Sequence, residues 1–533
     1  MAYFPPLPRR VTRLASFAVL IAWIGSMAVL VDRSYLQASS SLATDLARYG
    51  SQATWRGVYY RGEKIGFTVS QIVESKDGFE IQEDARLQMT LLGATTPAAV
   101  RTTARVDPEF ALRSFDFSLD PGTGPIRIEG QLDGTRQSLA ITSPAGPTRR
   151  EVRELAEPPA LMLNLSRRLA NAGLVPGTRH QWTMFDPATL RNATVVVDIG
   201  ARELVRTGVT RVPAFRVGLE FAGLHTTSWV TDTGEVVREE SPLGLMTIRE
   251  PAERAQALAV PERVNADLLR ASAVVPVMRE PIDESRDVRR IRLLVEGADL
   301  SGADLQGVGQ SVQRNTIEIR DAQAFVAGPS DADAARYLAP EPLIESDAPE
   351  IREEAARAIE GARGDRARAE RLTRYVNGLL DKKPTVSLPS AREVLRTKVG
   401  DCNEHTALYV AMARALGIPA RIAVGLVFVH GAFYYHAWPE VYIGEGAGRG
   451  LWLPVDPTLN QFPADATHVR LARGGLDKQA AILPLIGRLK ITVLDLETVP
   501  NTRRVTVGRQ PLVDLDRGVL PLPASQPSRR RCR

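Results

Sequence analysis

After residue 53, short runs in which apolar and polar residues alternate predict strands. Residues 57–60, 66–74, 79–91, 110–119 and 126–132 carry this pattern, with Lys76-Asp77-Gly78 and Leu132-Asp133-Gly134 as turns between them. The period changes over residues 151–172, where Leu161, Leu165 and Leu169 recur ahead of Gly173, and this predicts a helical connector. A second strand-rich block spans residues 180–249 and includes 193–199, 215–221, 226–231 and, after Asp232-Thr233-Gly234, 235–239. Both blocks are expected to be parts of a β-sandwich or an open barrel. Residues 252–269 read as a short helical linker, and 288–295 with 316–320 as a small β element around the Gly-rich stretch 297–309. From about Ala348 the apolar positions return to helical spacing, at Ile351, Ala355, Ala358 and Ile359, then at Ala369, Leu372, Val376, Leu379 and Leu380. Residues 482–496 offer a helix turn and a last strand.

The stretch 399–458 carries the chemistry. Asp401 and Glu404 form a D-x-x-E pair that marks a helix start, and Cys402 falls at the first helical position. Leu408, Ala411, Met412, Ala415 and Leu416 predict one buried face, and Gly417-Ile418-Pro419 a stop. The free amides and positive dipole end at such a start favour a thiolate, whereas the acidic Asp401 and Glu404 oppose it, so a base is still required. Phe433 to Ile443 reads as a strand that places His436, Trp438, Glu440 and Tyr442 on one face. Trp452 to Asp456 reads as a second strand, ended by Pro457. A cysteine, a histidine and an aspartate are what a thiol nucleophile, its base and the base's orienter require, so Cys402, His436 and Asp456 are the candidate catalytic residues. His405 competes as the base but lies on the helix that carries the cysteine. His180, His225, His430 and His468 have no acidic or cysteine cluster beside them and read as surface or structural, and Glu440, on the face of His436, reads as a partner for a basic group or as a solvated or core-edge carboxylate.

Gly400-Asp-Cys-Asn-Glu-His-Thr-Ala-Leu408, with Ala413-Arg-Ala-Leu-Gly-Ile-Pro-Ala-Arg421, resembles the nucleophile helix and following turn of the transglutaminase-like superfamily of papain-like cysteine enzymes. His436-Ala437-Trp438 is similar to its histidine motif, and Val455-Asp456-Pro457-Thr458 to its aspartate motif. The resemblance covers residues 347–471 and implies a papain-like α+β domain that uses Cys402, His436 and Asp456 as a triad. It departs from the family in the oxyanion hole, because no Gln or Trp lies between Asp331 and Asp401. The backbone amide of Cys402 is one candidate donor, and Asn377 and Tyr375 are the remaining side-chain candidates. Three competing readings are an inert buried cysteine, a Cys402–Cys532 disulfide, and a metal site of Asp401, Cys402, Glu404 and His405, which lacks a supporting ligand pair.

At 533 residues the chain has room for several domains, and Arg9, Arg10 and Arg13 precede an apolar run at 14–31 that no charge interrupts. This predicts an uncleaved signal-anchor with the bulk of the chain extracytoplasmic, against a cleaved signal peptide as the rival. The net charge of +5 comes from 67 basic and 62 acidic residues, interspersed, so no nucleic-acid surface follows. In the β-rich blocks no metal-ligand cluster or Gly-rich phosphate loop stands out, no EF-hand loop occurs along the chain, and no cofactor is expected. The expected organisation is multidomain α+β: a basic start (1–13), a transmembrane helix (14–31), β-rich sandwich or barrel-like modules (45–250), a linker with a small β element (251–345), a transglutaminase-like domain (346–475), a strand extension (476–509) and a disordered basic tail (510–533). The expected activity is attack on amide bonds of a protein or peptide substrate through an acyl-thioester, by hydrolysis in preference to cross-linking, with cell-envelope peptide as a candidate substrate. The alternative is a non-catalytic envelope scaffold.

Overall fold

The computed structural model describes residues 46, 48–91, 94–122, 124–208, 210–221, 223–241, 244–257, 272–384, 390–475, 482 and 485–499. The basic start, the apolar run 14–31 and the tail with Cys532 lie outside the described residues. Among the described residues no helix is long and apolar enough to cross a membrane.

The two strand-rich blocks, expected as parts of a sandwich or an open barrel, are continuous with each other. They form one antiparallel sheet of fourteen strands. Thr54–Tyr60 joins them, pairing with Glu63–Ser75 on one side and, from Arg56↔Arg249 to Tyr60↔Leu245, with Leu245–Arg249 on the other. From that centre the order runs outward in sequence to Arg149–Glu154 at one edge and back to Arg179–Asp186 at the other. Ala94–Val106 is a strand that the hydrophobic pattern does not reveal, because its buried described residues are the small Ala98, Ala104 and Val106, with Val100 half-buried against the same core. The predicted helix over 151–172 begins later than expected. Residues 149–154 alternate along a strand paired with Arg136–Thr142, and the helix is Met162–Ala172, capped by Gly173 at φ 98. Leu165 and Leu169 of this helix pack with Val195, Val197, Ile199 and Val217, while Leu161 joins Phe115, Ile128 and Phe185. A single short helix thus fills part of both halves of the sheet.

The rest of the chain builds one large core. Val288–Glu296 pairs with Thr316–Arg320 and, on its other side, with Lys490–Thr498, so the last described strand returns to close a four-stranded sheet. A five-stranded sheet has the order Gly328–Pro329, Arg449–Pro454, Ala432–Gly446, Ala420–Val429, Val469–Gly474. Helices Pro349–Ala358, Asp365–Leu379, Ala391–Thr397 and Cys402–Ala415 complete the layer. The Cys402 helix was expected to bury one face. Every residue from Glu404 to Arg414 is buried, because the three other helices and the sheet surround it. Its N-terminus is therefore fixed from all sides.

Gly425 sets how closely Val469–Gly474 approaches the centre of this sheet. A Cβ there would stand 1.9 Å from the Val469 carbonyl oxygen, at a register shift in the strand pair, and Gly425 faces His436 across the other pair. Gly425→Ala is expected to push the strand away and lower stability by about 1–3 kcal/mol. Urea titration should show this as a lower midpoint at unchanged slope.

Candidate active site

The Cys402 helix is started by a reciprocal cap. The Asp401 carboxylate accepts the Asn403 amide at 2.9 Å, and the Glu404 carboxylate accepts the Asp401 amide at 2.8 Å. Glu404 can fold back this way because residue 400 is glycine; a Cβ at Gly400 would lie 2.2 Å from the Glu404 Cβ. The cap uses the amides of Asn403 and Glu404, and His405 donates its amide to the Asp401 carbonyl. Among the described residues, the Cys402 amide has no hydrogen-bond acceptor.

Cys402 is a free cysteine. Ala437 stands next to the sulfur, where its backbone favours the thiolate, and its carbonyl accepts the Thr406 hydroxyl at 3.1 Å. The sulfur thus lies against the residue next to His436. Burial pushes the thiol well above its usual range; the charges of Asp401, Glu404 and Asp456 add to this, and the Ala437 backbone works against it. The resting thiol is protonated, so the acids and burial outweigh the helix start.

His436 projects from Ala432–Gly446 and is buried. Its Nε2 lies 2.8 Å from Asp456 Oδ2, and because a carboxylate only accepts, Nε2 carries the proton. Nδ1 is the ring nitrogen not engaged with Asp456. Asp456 is fully buried, and its Oδ1 accepts the amides of Thr458 and Leu459 at 2.8 and 2.9 Å. Burial alone would raise its pKa, but its interactions with His436 and His468, hydrogen bonds included, hold it far below the usual carboxylate range. Trp438 stacks on His436, with centroids 6.0 Å apart and planes at 20°.

Two residues read from sequence as peripheral are buried in this site. His468 donates from Nε2 to Asp456 Oδ2 at 3.1 Å and from Nδ1 to Asp465 Oδ1 at 3.1 Å, edge-on to Trp438. The local signal was Asp465, three residues before it. Burial would lower its pKa, but the bonds and charges of Asp456 and Asp465 raise it to about 10. Glu440 is not solvated. Its carboxylate takes Arg421 Nη2 at 2.7 Å and Arg470 Nη1 at 2.9 Å, and the Arg421 guanidinium lies 3.8 Å from the Trp452 ring centroid.

Other candidates are engaged elsewhere. The Asn377 amide donates to the carbonyls of Pro457 and Thr458, and the Tyr375 hydroxyl to Glu354, so neither is a free oxyanion donor. His405 is bound through Nδ1 to the Asp401 carbonyl at 2.7 Å, and burial lowers its pKa. The proposed ligands Asp401 and Glu404 are occupied in the cap. The donor atoms of His436, Asp456 and His468 lie within 4.8 Å of one another. Both Nε2 atoms lie at 2.8 and 3.1 Å from the same Asp456 oxygen, the geometry of two N–H donors on one carboxylate.

Residues 353–457 match the family model of the transglutaminase-like superfamily. The match includes Cys402, His436 and Asp456 and stops before His468. No curated protein matches the chain. Among solved structures, a β-barrel-like protein of the DUF1849 domain from Brucella abortus is 13% identical over 37% of this chain and 96% of its own, with a TM-score of 0.30. A candidate cysteine protease from Cytophaga hutchinsonii is 16% identical over 40% of this chain and 89% of its own, at 0.27. The periplasmic domain of TgpA from Pseudomonas aeruginosa, bound to ethylmercury, is 17% identical over 35% and 76%, at 0.23.

Burial would raise the Glu440 pKa, but the charges of Arg470, Arg421 and Arg473 bring it down to about 2. The folded value is depressed, so this group's stabilisation is complete above its unfolded pKa and is lost as pH falls from about 4.3 through about 2. The loss should amount to about 3 kcal/mol. Urea midpoints measured across that window should fall less steeply in Glu440→Gln than in the wild type.

Proposed function

We propose that this chain is a transglutaminase-like cysteine enzyme that attacks amide bonds of a protein or peptide through Cys402, with His436 as base and Asp456 as its orienter. The observation that carries the reading is the buried His436–Asp456 hydrogen bond, next in the chain to Ala437, whose backbone and the charge of Asp456 both act on the Cys402 thiol. The thiol is neutral at rest, so His436 Nδ1 takes its proton as sulfur attacks the carbonyl. The unpaired Cys402 amide supplies one donor to the oxyanion. The imidazolium returns the proton to the leaving amine as the C–N bond breaks and an acyl-thioester remains. Water then attacks with His436 as base, releasing the carboxylate and restoring the thiol. Hydrolysis is favoured over transfer because no amine-acceptor site is identified. We place the chain at a membrane through an anchor at residues 14–31, with the bulk extracytoplasmic and envelope peptide as the substrate class.

A second reading is a non-catalytic scaffold, favoured by the raised thiol pKa and by the engagement of Asn377 and Tyr375 elsewhere.

The test is incubation of the full chain with casein in the presence of methylamine, read by mass spectrometry. New peptide termini should form without amine incorporation. Cys402→Ala should abolish cleavage, and Asp456→Asn should lower it about a hundredfold or more. Methylamine incorporation would establish transfer, and cleavage that survives Cys402→Ala would remove the thiol from the mechanism.

A further inference from the structure

Asp456 serves two histidines, and only one of them fits the role of base. His436 presents one nitrogen to the carboxylate and keeps the other out of that bond. His468 has acceptors on both sides. Its Nε2 meets Asp456 Oδ2, and its Nδ1 meets the Asp465 carboxylate and the Asp465 carbonyl, each at 3.1 Å. Neither acceptor can donate, so both ring nitrogens must carry protons.

We infer that His468 is a permanently cationic positioning residue, clamping Asp456 and tuning the charge of the Cys402–His436–Asp456 site. For its consequence this rests on the catalytic reading above; the charge itself does not.

The surroundings are built for that charge. Asp465 Oδ1 also accepts the Thr467 amide and hydroxyl, at 2.9 and 2.6 Å, and its Oδ2 accepts Gln461 Nε2 at 2.7 Å. Gln461 in turn exchanges backbone hydrogen bonds with Asp456. The loop from Asp456 to His468 is thus tied at both ends to the same carboxylate. The titratable groups facing His468 are Asp456 from the turn after Arg449–Pro454, Asp465 from its own loop, and His436 from the sheet, with ring centroids 6.0 Å apart. Arg470, two residues on, is turned to Glu440. A fixed cation on Asp456 keeps the carboxylate ionised and offsets part of its negative charge, so the thiolate forms against one anion fewer.

Two measurements test this on the full chain. The first is ring-15N histidine NMR, with resonances assigned through His436→Gln and His468→Gln. His468 should show two protonated nitrogens from pH 6 to pH 9, and Asp465→Asn should bring its titration into that range. A neutral ring at pH 7 would overturn the inference. The second is the pH profile of Cys402 alkylation by iodoacetamide, in a Cys532→Ser background. Loss of the cation disfavours the thiolate, so His468→Gln should move the rise of alkylation with pH up by about one pH unit. A profile that falls in amplitude without moving would make His468 merely structural and overturn the tuning role. If His468→Gln does not fold, Asp465→Asn supplies the same shift. If wild-type Cys402 is unreactive at every pH, the catalytic reading fails while the NMR result still decides the charge of His468.

Discussion

The buried carboxylate of Asp456 is the constraint on which the site depends. An ionised group removed from water must regain in hydrogen bonds what it loses in solvation. Its four donors come from separate parts of the chain: His436 from a sheet strand, Thr458 and Leu459 from the turn after Pro457, and His468 from the residue before Val469–Gly474. These parts meet only if the strand order of the five-stranded sheet, the close approach at Gly425 and the loop from Asp456 to His468 are all correct. The position of His436 is therefore a product of the whole sheet.

Cys402 shows the opposite balance. The helix start offers free amides and a positive dipole end, but Asp401, Glu404 and Asp456 surround the sulfur with negative charge, and burial adds to their effect. A thiol in this setting does not ionise unaided. Its chemistry depends on a proton acceptor that is itself oriented by a carboxylate, and this makes the cysteine useless without its partners. The capping box that fixes the helix also adds to what burial does in suppressing the free thiolate, so the acids that give structural precision reinforce the resting neutrality of the thiol.

Much of the site was legible because local chemistry marked it. The D-x-x-E cap around Cys402 and the aromatic strand around His436 each carry their signal within a few residues, whereas the strand expected to reach Asp456 ends at Pro454 and Asp456 lies in the turn after it. His468 was misread, and the pairing of Glu440 with a basic group stayed one of two readings, for the converse reason. Their partners lie on other strands, and a lone histidine in a polar loop or a glutamate on a strand has no local feature that distinguishes burial from solvation. The sheet was legible in its strands but not in its closure. Pairing of Thr54–Tyr60 with Leu245–Arg249 is a contact between distant segments, and alternation in each strand is the same whether the blocks form two modules or one. Ala94–Val106 escaped detection because its inward residues are small, and the strand at 149–154 because its charged residues left only Val152 as an apolar mark.

The central claim is that Cys402 and His436 act as one chemical unit. Its most direct test is the rate of Cys402 alkylation by iodoacetamide at pH 7 in the full chain, with Cys532→Ser as background and His436→Ala as comparison. The account predicts that Cys402 reacts through His436 and that His436→Ala lowers the rate about tenfold or more. A thiol that is inert, or that reacts equally in both proteins, would contradict it.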